Sequence, residues 1–126
     1  MNYLDELTQL NLPADQFAVF GSGPLAIRNL RKSNDIDLIV KEKLWQKLSQ
    51  KYKVEDKNKI QIGHIEIYKD WQPWFDNINE LIDTADIFNY IRFVKLDYVL
   101  KWKQQMNRVK DQQDIKLIKK YLRNNK

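Results

Sequence analysis

A chain of 126 residues with no cysteine and one histidine, His64, excludes disulfides, thiolate metal sites and a histidine-built zinc centre. Hydrophobic residues at 43% and aromatic residues at 12% exclude a disordered polar chain, while 31% charged residues and a net charge of +5 predict a polar, basic surface suited to anionic partners. The length predicts one domain spanning residues 1–126 around one core.

The first ten residues, MNYLDELTQL, carry acids and no long apolar core, so neither a signal peptide nor a membrane span is expected and a cytoplasmic location is. Leu4, Leu7 and Leu10 share a helical face and predict a docking helix over Asn2–Leu10, with Pro13 ending the pattern. Gln16–Phe20 then reads as an apolar strand. It ends at Gly21-Ser22-Gly23, where small residues permit positive φ and close backbone approach, and Pro24 suits the first turn of a helix. Together these make an anion-binding corner. Leu25, Ile27 and Leu30 turn inward from the short helix behind it.

Asp35-Ile36-Asp37-Leu38-Ile39-Val40 alternates with a period of two, which sends both aspartates to one face and Ile36 and Leu38 to the other. Adjacent carboxylates repel unless a cation lies between them. Mg²⁺ favours carboxylate oxygens and keeps phosphate oxygens as further ligands, so a glycine corner beside a carboxylate pair has the chemistry of a metal–nucleotide site. An apolar strand, Gly-Ser, an intervening helix and Asp-hydrophobic-Asp-hydrophobic, in that order, resembles the polymerase-beta-like nucleotidyltransferase superfamily, in particular its small stand-alone members. Arg31-Lys32-Ser33-Asn34-Asp35-Ile36-Asp37 is similar to the Arg-x-Thr/Ser-x-Asp-Ile-Asp form of the motif, with Ser33 in the hydroxyl position. The resemblance implies an α/β (α+β) nucleotidyltransferase fold: a mixed, mainly antiparallel sheet with helices packed on it and helices at the C-terminal end.

Leu44, Trp45 and Leu48 predict a helix over Lys41–Gln50, and Tyr52–Val54 a short strand. Lys59–Lys69, KIQIGHIEIYK, predicts one nearly continuous strand with a bulge or bend at Gly63. Glu66 lies between Ile65 and Ile67 and so projects opposite two apolar side chains, onto a face that must be solvent-open or metal-lined. The resemblance implies that Glu66 is the third metal-site carboxylate, supplied by a strand beside the Asp-x-Asp strand. An exposed edge-strand acid is the plainer alternative. His64 has the parity of Glu66 and belongs at the cleft rim or simply in solvent. Trp71, Trp74 and Phe75 in the loop Asp70–Phe75 either stack on a base or pack the core, packing being favoured on residue type. Asn77–Ala85 has a helical pattern, and Ile87–Lys95 predicts an added antiparallel edge with a turn at Asn89-Tyr90.

Asp97 is placed to cap a helix through Val99, Leu100 and Trp102 to Met106, and an amphipathic helix runs on through Ile118 and Leu122. Lys103, Arg108, Lys110-Asp111 and Asp114-Ile115 are similar to the Lys-x4-Arg-x-Lys-Asp-x2-Asp-Ile signature of small nucleotidyltransferases of the abortive-infection and antibiotic-modifying kind. Asp111 is also a candidate helix cap, and Asp114 a first-turn acid favoured by the macrodipole. The resemblance implies phosphate contacts by Lys103 and Lys110, with Arg108 joining them or bridging Asp114.

The expected activity is Mg²⁺-dependent transfer of a nucleoside monophosphate from an NTP such as ATP to a hydroxyl acceptor, with release of pyrophosphate. Asp35, Asp37 and Glu66 would hold one or two Mg²⁺ ions, and Gly21 and Ser22 the β- and γ-phosphates. The acceptor is left open between a small molecule, a protein and an RNA end, and a partner protein or homo-oligomer is compatible. The competing reading is a non-catalytic protein on the same scaffold, serving as an RNA-binding module or as a subunit of a two-protein complex.

Overall fold

The computed structural model describes residues 1–56 and 58–125. Its centre is an antiparallel pair, β1 (Phe17–Phe20) and β2 (Ile36–Val40), with Phe20 opposite Asp37. Both strands are apolar enough to be covered on each face, which is what central strands require. Phe17, Val19, Ile36, Leu38 and Val40 fill one core, while Ala18, Phe20 and Ile39 fill the other.

Four more strands extend this pair. β3 (Lys59–Ile62) and β4 (Ile65–Tyr68) form a hairpin whose β4 lies parallel to β2, and β5 (Asp86–Phe88) and β6 (Ile91–Phe93) form one whose β6 lies parallel to β1. The sheet order is β3-β4-β2-β1-β6-β5. Three neighbouring pairs are antiparallel and two parallel, so the sheet is mixed.

Helices close both faces. α1 (Leu4–Gln9) and α3 (Glu42–Lys51) bring Leu7, Leu44, Trp45 and Leu48 to the face of Ile36 and Leu38. On the other face, α2 (Gly23–Ala26) contributes Leu25 and α4 (Ile78–Asp83) contributes Leu81 and Ile82. α5 (Leu96–Met106) and α6 (Asp111–Asn124) add Val99, Trp102 and Ile118 there. Full burial of one aliphatic side chain is worth roughly 1.5 to 3 kcal/mol, so Ile36 and Leu38 of β2 and Ile65 and Ile67 of β4, all fully buried, anchor one face of the sheet. No helix among the described residues is long and apolar enough to cross a membrane.

Several sequence expectations are corrected here. Lys59–Lys69 is two strands, because Gly63-His64 is a two-residue hairpin turn with Gly63 at φ 59 and Ile62 paired with Ile65. Glycine at the first central position is what a II′ turn demands. Tyr52–Val54 is irregular, and only Glu55 reaches Lys59 in an isolated bridge. Neither expected aspartate is a cap: Lys95 and Lys110 stand at the N-cap positions of α5 and α6, which places Asp97 and Asp111 inside their first turns. His64 is exposed at the hairpin tip, stacked on Tyr3 with ring centroids 3.8 Å apart and bonded through Nδ1 to Glu6 at 2.8 Å. It therefore docks α1 to the hairpin.

The β5–β6 turn at Asn89-Tyr90 has both residues at positive φ, 50 and 67, the geometry of a I′ turn. Asn77 caps α4 by accepting a hydrogen bond from the N–H of Glu80 at 3.1 Å. Phe75 is buried, and Trp71 and Phe20 stack at 4.7 Å. The aromatic loop is core packing.

Candidate functional site

Asp37 and Glu66 are register partners on the parallel strands β2 and β4. Because Ile36, Leu38, Ile65 and Ile67 fill the face covered by α1 and α3, the period of two sends both carboxylates to the opposite face, side by side. Each is half-buried. Burial first, then the charge of Glu66 and a hydrogen bond with it, push Asp37 up to about 7. The pair thus retains a proton far above the usual carboxylate range, as two carboxyls sharing one site do. Asp35 adds to that repulsion, but it lies just before β2 with its side chain exposed, so it is a flanking charge. Ser33, buried in the same turn, donates its hydroxyl to the Asp35 carbonyl at 2.5 Å and fixes the approach to the strand.

Gly21 closes the corner above Asp37. It has φ 63, which favours glycine, and a Cβ at this position would overlap Asp37 Oδ2, so any side chain here would push the carboxylate aside. Tyr68, two residues beyond Glu66 on the same face, is raised above the ordinary phenol range by burial and then by the carboxylates. Lys59 reaches Glu66 Oε1 from β3 at 3.1 Å.

A cavity of about 360 Å³ opens at this corner. Gly21, Ser22 and Asp37 line one side, and the ends of α5 and α6 line the other with Trp102, Lys103, Arg108 and Lys110. Residues separated by 65 to 89 positions in the chain therefore share one space because α5 and α6 pack over the C-terminal end of β1.

The cations there are of two kinds. Lys103 is 4% exposed and its ammonium lies 3.0 Å from Asp114 and 3.6 Å from Asp111. Arg108 makes a two-pronged contact with Asp111 at 2.7 and 2.9 Å, and Arg31 reaches Asp114 at 2.7 Å. So Arg108 pairs with Asp111, and Arg31 is the residue that bridges Asp114. Burial alone would raise Asp111, yet the hydrogen bonds from the Arg108 side chain and N–H and the charge of Lys103 hold it below its ordinary value. Lys110, by contrast, is exposed at the cavity rim. Three cations against two carboxylates, with Lys110 in addition, leave this wall net positive.

The structure brings Gly21, Ser22, Asp37, Lys103, Arg108 and Lys110 to one cavity and sets Glu66 beside Asp37. Arg31, Trp102, Asp111 and Asp114 line the same space without having been singled out as binding residues. Arg31 opens the Arg-x-Ser-x-Asp-Ile-Asp stretch read from the sequence, which names the residue without giving it a role. Trp102 gives no such signal, since its spacing matches the core face of α5.

Comparison with protein-family models, with curated proteins and with solved structures gives no match. The functional reading therefore rests on this corner alone. Among the described residues, no three or more His, Cys, Asp or Glu side chains are gathered into a ready-made metal cluster. Asp37 and Glu66 nevertheless fit a hard divalent cation: the donors are all oxygen, and the charge of Glu66, which together with burial raises Asp37, is what a cation would offset. Mg²⁺ commonly takes one or two protein carboxylates and completes its shell with water and substrate phosphate.

Proposed function

We propose that this chain is a nucleotidyltransferase that moves a nucleoside monophosphate from an NTP to a hydroxyl acceptor. The observation that carries the reading is Asp37, paired in register with Glu66 and lining a cavity whose opposite wall is net positive. A triphosphate needs both: cationic groups for its outer phosphates and carboxylates for the ion that accompanies it.

Asp37 and Glu66 would hold Mg²⁺, with Asp35 flanking them. When bound, the ion supplies charge neutralisation at the reacting phosphate. Ser22 offers a hydroxyl and the Gly21-Ser22 turn its backbone N–H groups to the β- and γ-phosphates. Because α2 has only four residues, its dipole adds little, and the main electrostatic attraction comes from Lys110 with Arg108 and Arg31 behind it. Lys103 orders this wall by locking Asp111 and Asp114, which keeps the guanidinium groups in place. In the transfer itself the acceptor oxygen bonds to the α-phosphorus, the bond to the bridging oxygen breaks, pyrophosphate departs, and the hydroxyl proton is lost to a basic oxygen at the site.

The test is transfer of label from α-labelled NTPs, in the presence of Mg²⁺, into acceptors of a cell extract. The reading expects covalent label in one acceptor class and released pyrophosphate. A second reading, a non-catalytic RNA-binding module, draws on the net charge of +5, and predicts salt-sensitive RNA binding with no transfer.

A further inference from the structure

Glu66 has a partner that the proposed reaction does not use. Lys59 lies on β3, opposite Tyr68 in the hairpin register, and its ammonium reaches diagonally to Glu66 Oε1 at 3.1 Å. Both side chains are largely shielded, at 25% and 20% exposure, so the pair is more than a screened surface contact. An ammonium at this distance from a carboxylate oxygen occupies space and charge that a divalent ion bound by that oxygen would need. The same lysine also lines a second cavity, of about 670 Å³, together with Lys53, Val54, Glu55, Asp56 and Tyr68. Lys59, with Tyr68, therefore stands between the carboxylate pair and this second space.

We propose that Lys59 is a built-in counter-ion, which neutralises Glu66 in the metal-free protein and is exchanged for the divalent ion when the site loads. The inference rests on the reading of Asp37 and Glu66 as the metal-holding pair. The second cavity gives the displaced ammonium a destination, since Glu55 and Asp56 line it and the Glu55 N–H is bonded to the Lys59 carbonyl at 2.7 Å. Both acids are exposed, so the ammonium can pair there while remaining hydrated. Lys59 is a positioning residue, because it acts on the carboxylate and through it on the ion.

Exchange of this kind has a measurable consequence: metal binding must first break the lysine contact, so removing the lysine should make metal bind more tightly. The test uses Mn²⁺ alone as the probe, without nucleotide, followed by the loss of the free Mn²⁺ electron paramagnetic resonance signal. Lys59→Met and Lys59→Gln are expected to bind Mn²⁺ about tenfold more tightly than wild type, and Lys59→Arg about as wild type, since the charge is restored. Lys59→Met should also lower the metal-free melting temperature, and Mn²⁺ should recover it. Two neutral variants guard against one that folds poorly. Unchanged or weaker Mn²⁺ binding in both neutral variants would overturn the exchange. A wild-type Mn²⁺ site that depends on Asp37 yet does not respond to Lys59 would sink this inference alone. No Asp37-dependent Mn²⁺ site in either wild type or the neutral variants would sink the metal-pair reading and the inference with it.

Discussion

Asp37 is the residue on which the account turns, and its protonation gives a signed prediction. A carboxyl whose folded pKa exceeds its unfolded value binds more protons folded than unfolded between the two, so stability falls as pH climbs from about 4 to about 7. With Asp37 near 7 when folded and its ordinary value when unfolded, the deficit above pH 7 is roughly 3 kcal/mol after allowance for partial exposure. Asp37→Asn should therefore raise the metal-free melting temperature at pH 8, with the gain shrinking toward pH 4. A lower melting temperature at pH 8 would make Asp37 a structural residue. Lys110 gives the complementary prediction at the opposite wall. Lys110→Ala removes a charge-assisted contact worth on the order of 1.5 to 3 kcal/mol, or about ten- to a hundred-fold in Mg²⁺–NTP affinity. Lys119→Ala, an exposed change on the same helix outside the cavity, should have little effect near physiological salt. Equal, small effects in calorimetric titration would remove Lys110 from the site.

The elements show which parts of the site the chain announces and which it conceals. β2 is legible because Ile36, Leu38 and Asp37 alternate without interruption, and Gly21 because its small neighbours mark a turn. The β3–β4 hairpin is less so. Ile60 and Ile62 have even parity and Ile65 and Ile67 odd, a break that a bulge and a two-residue turn both produce, and only strand pairing decides between them. The caps of α5 and α6 are misread for a related reason: Asp97 and Asp111 satisfy cap chemistry locally, but Asp111 is instead engaged by Arg108 and Lys103. The Arg31–Asp114 contact, 83 positions apart, leaves no local trace. Lys103 is the keystone of that α5–α6 junction, and Lys103→Met would leave two buried carboxylates facing only the outer guanidinium groups. Breaking a buried pair from one side costs roughly 3 to 5 kcal/mol, and with Arg31 and Arg108 retained a loss of about 3 kcal/mol is expected in urea unfolding. A change under 1 kcal/mol would show that the two arginines carry the junction without it.

At the scale of the molecule, the sheet holds Asp37 and Glu66, while α5, its link to α6 and the link before β2 hold the cations, and the fold brings Asp37 and those cations to one cavity. The order β4-β2-β1 places Glu66 and Asp37 side by side and ends β1 at the Gly21 corner, while the short link between α5 and α6 hangs the positive wall over it. Composition predicted the basic surface, but not that three of its cations would be bound to two acids at one cavity. The division of labour between sheet and helices makes the transfer reaction itself the direct test. Wild type and Asp37→Asn are incubated with each α-labelled NTP, Mg²⁺ and cell extract, and covalent label and pyrophosphate are followed together. Label in an acceptor and equimolar pyrophosphate are expected with wild type, and neither with Asp37→Asn. No transfer from any NTP by wild type, or equal transfer by both proteins, would contradict the nucleotidyltransferase reading.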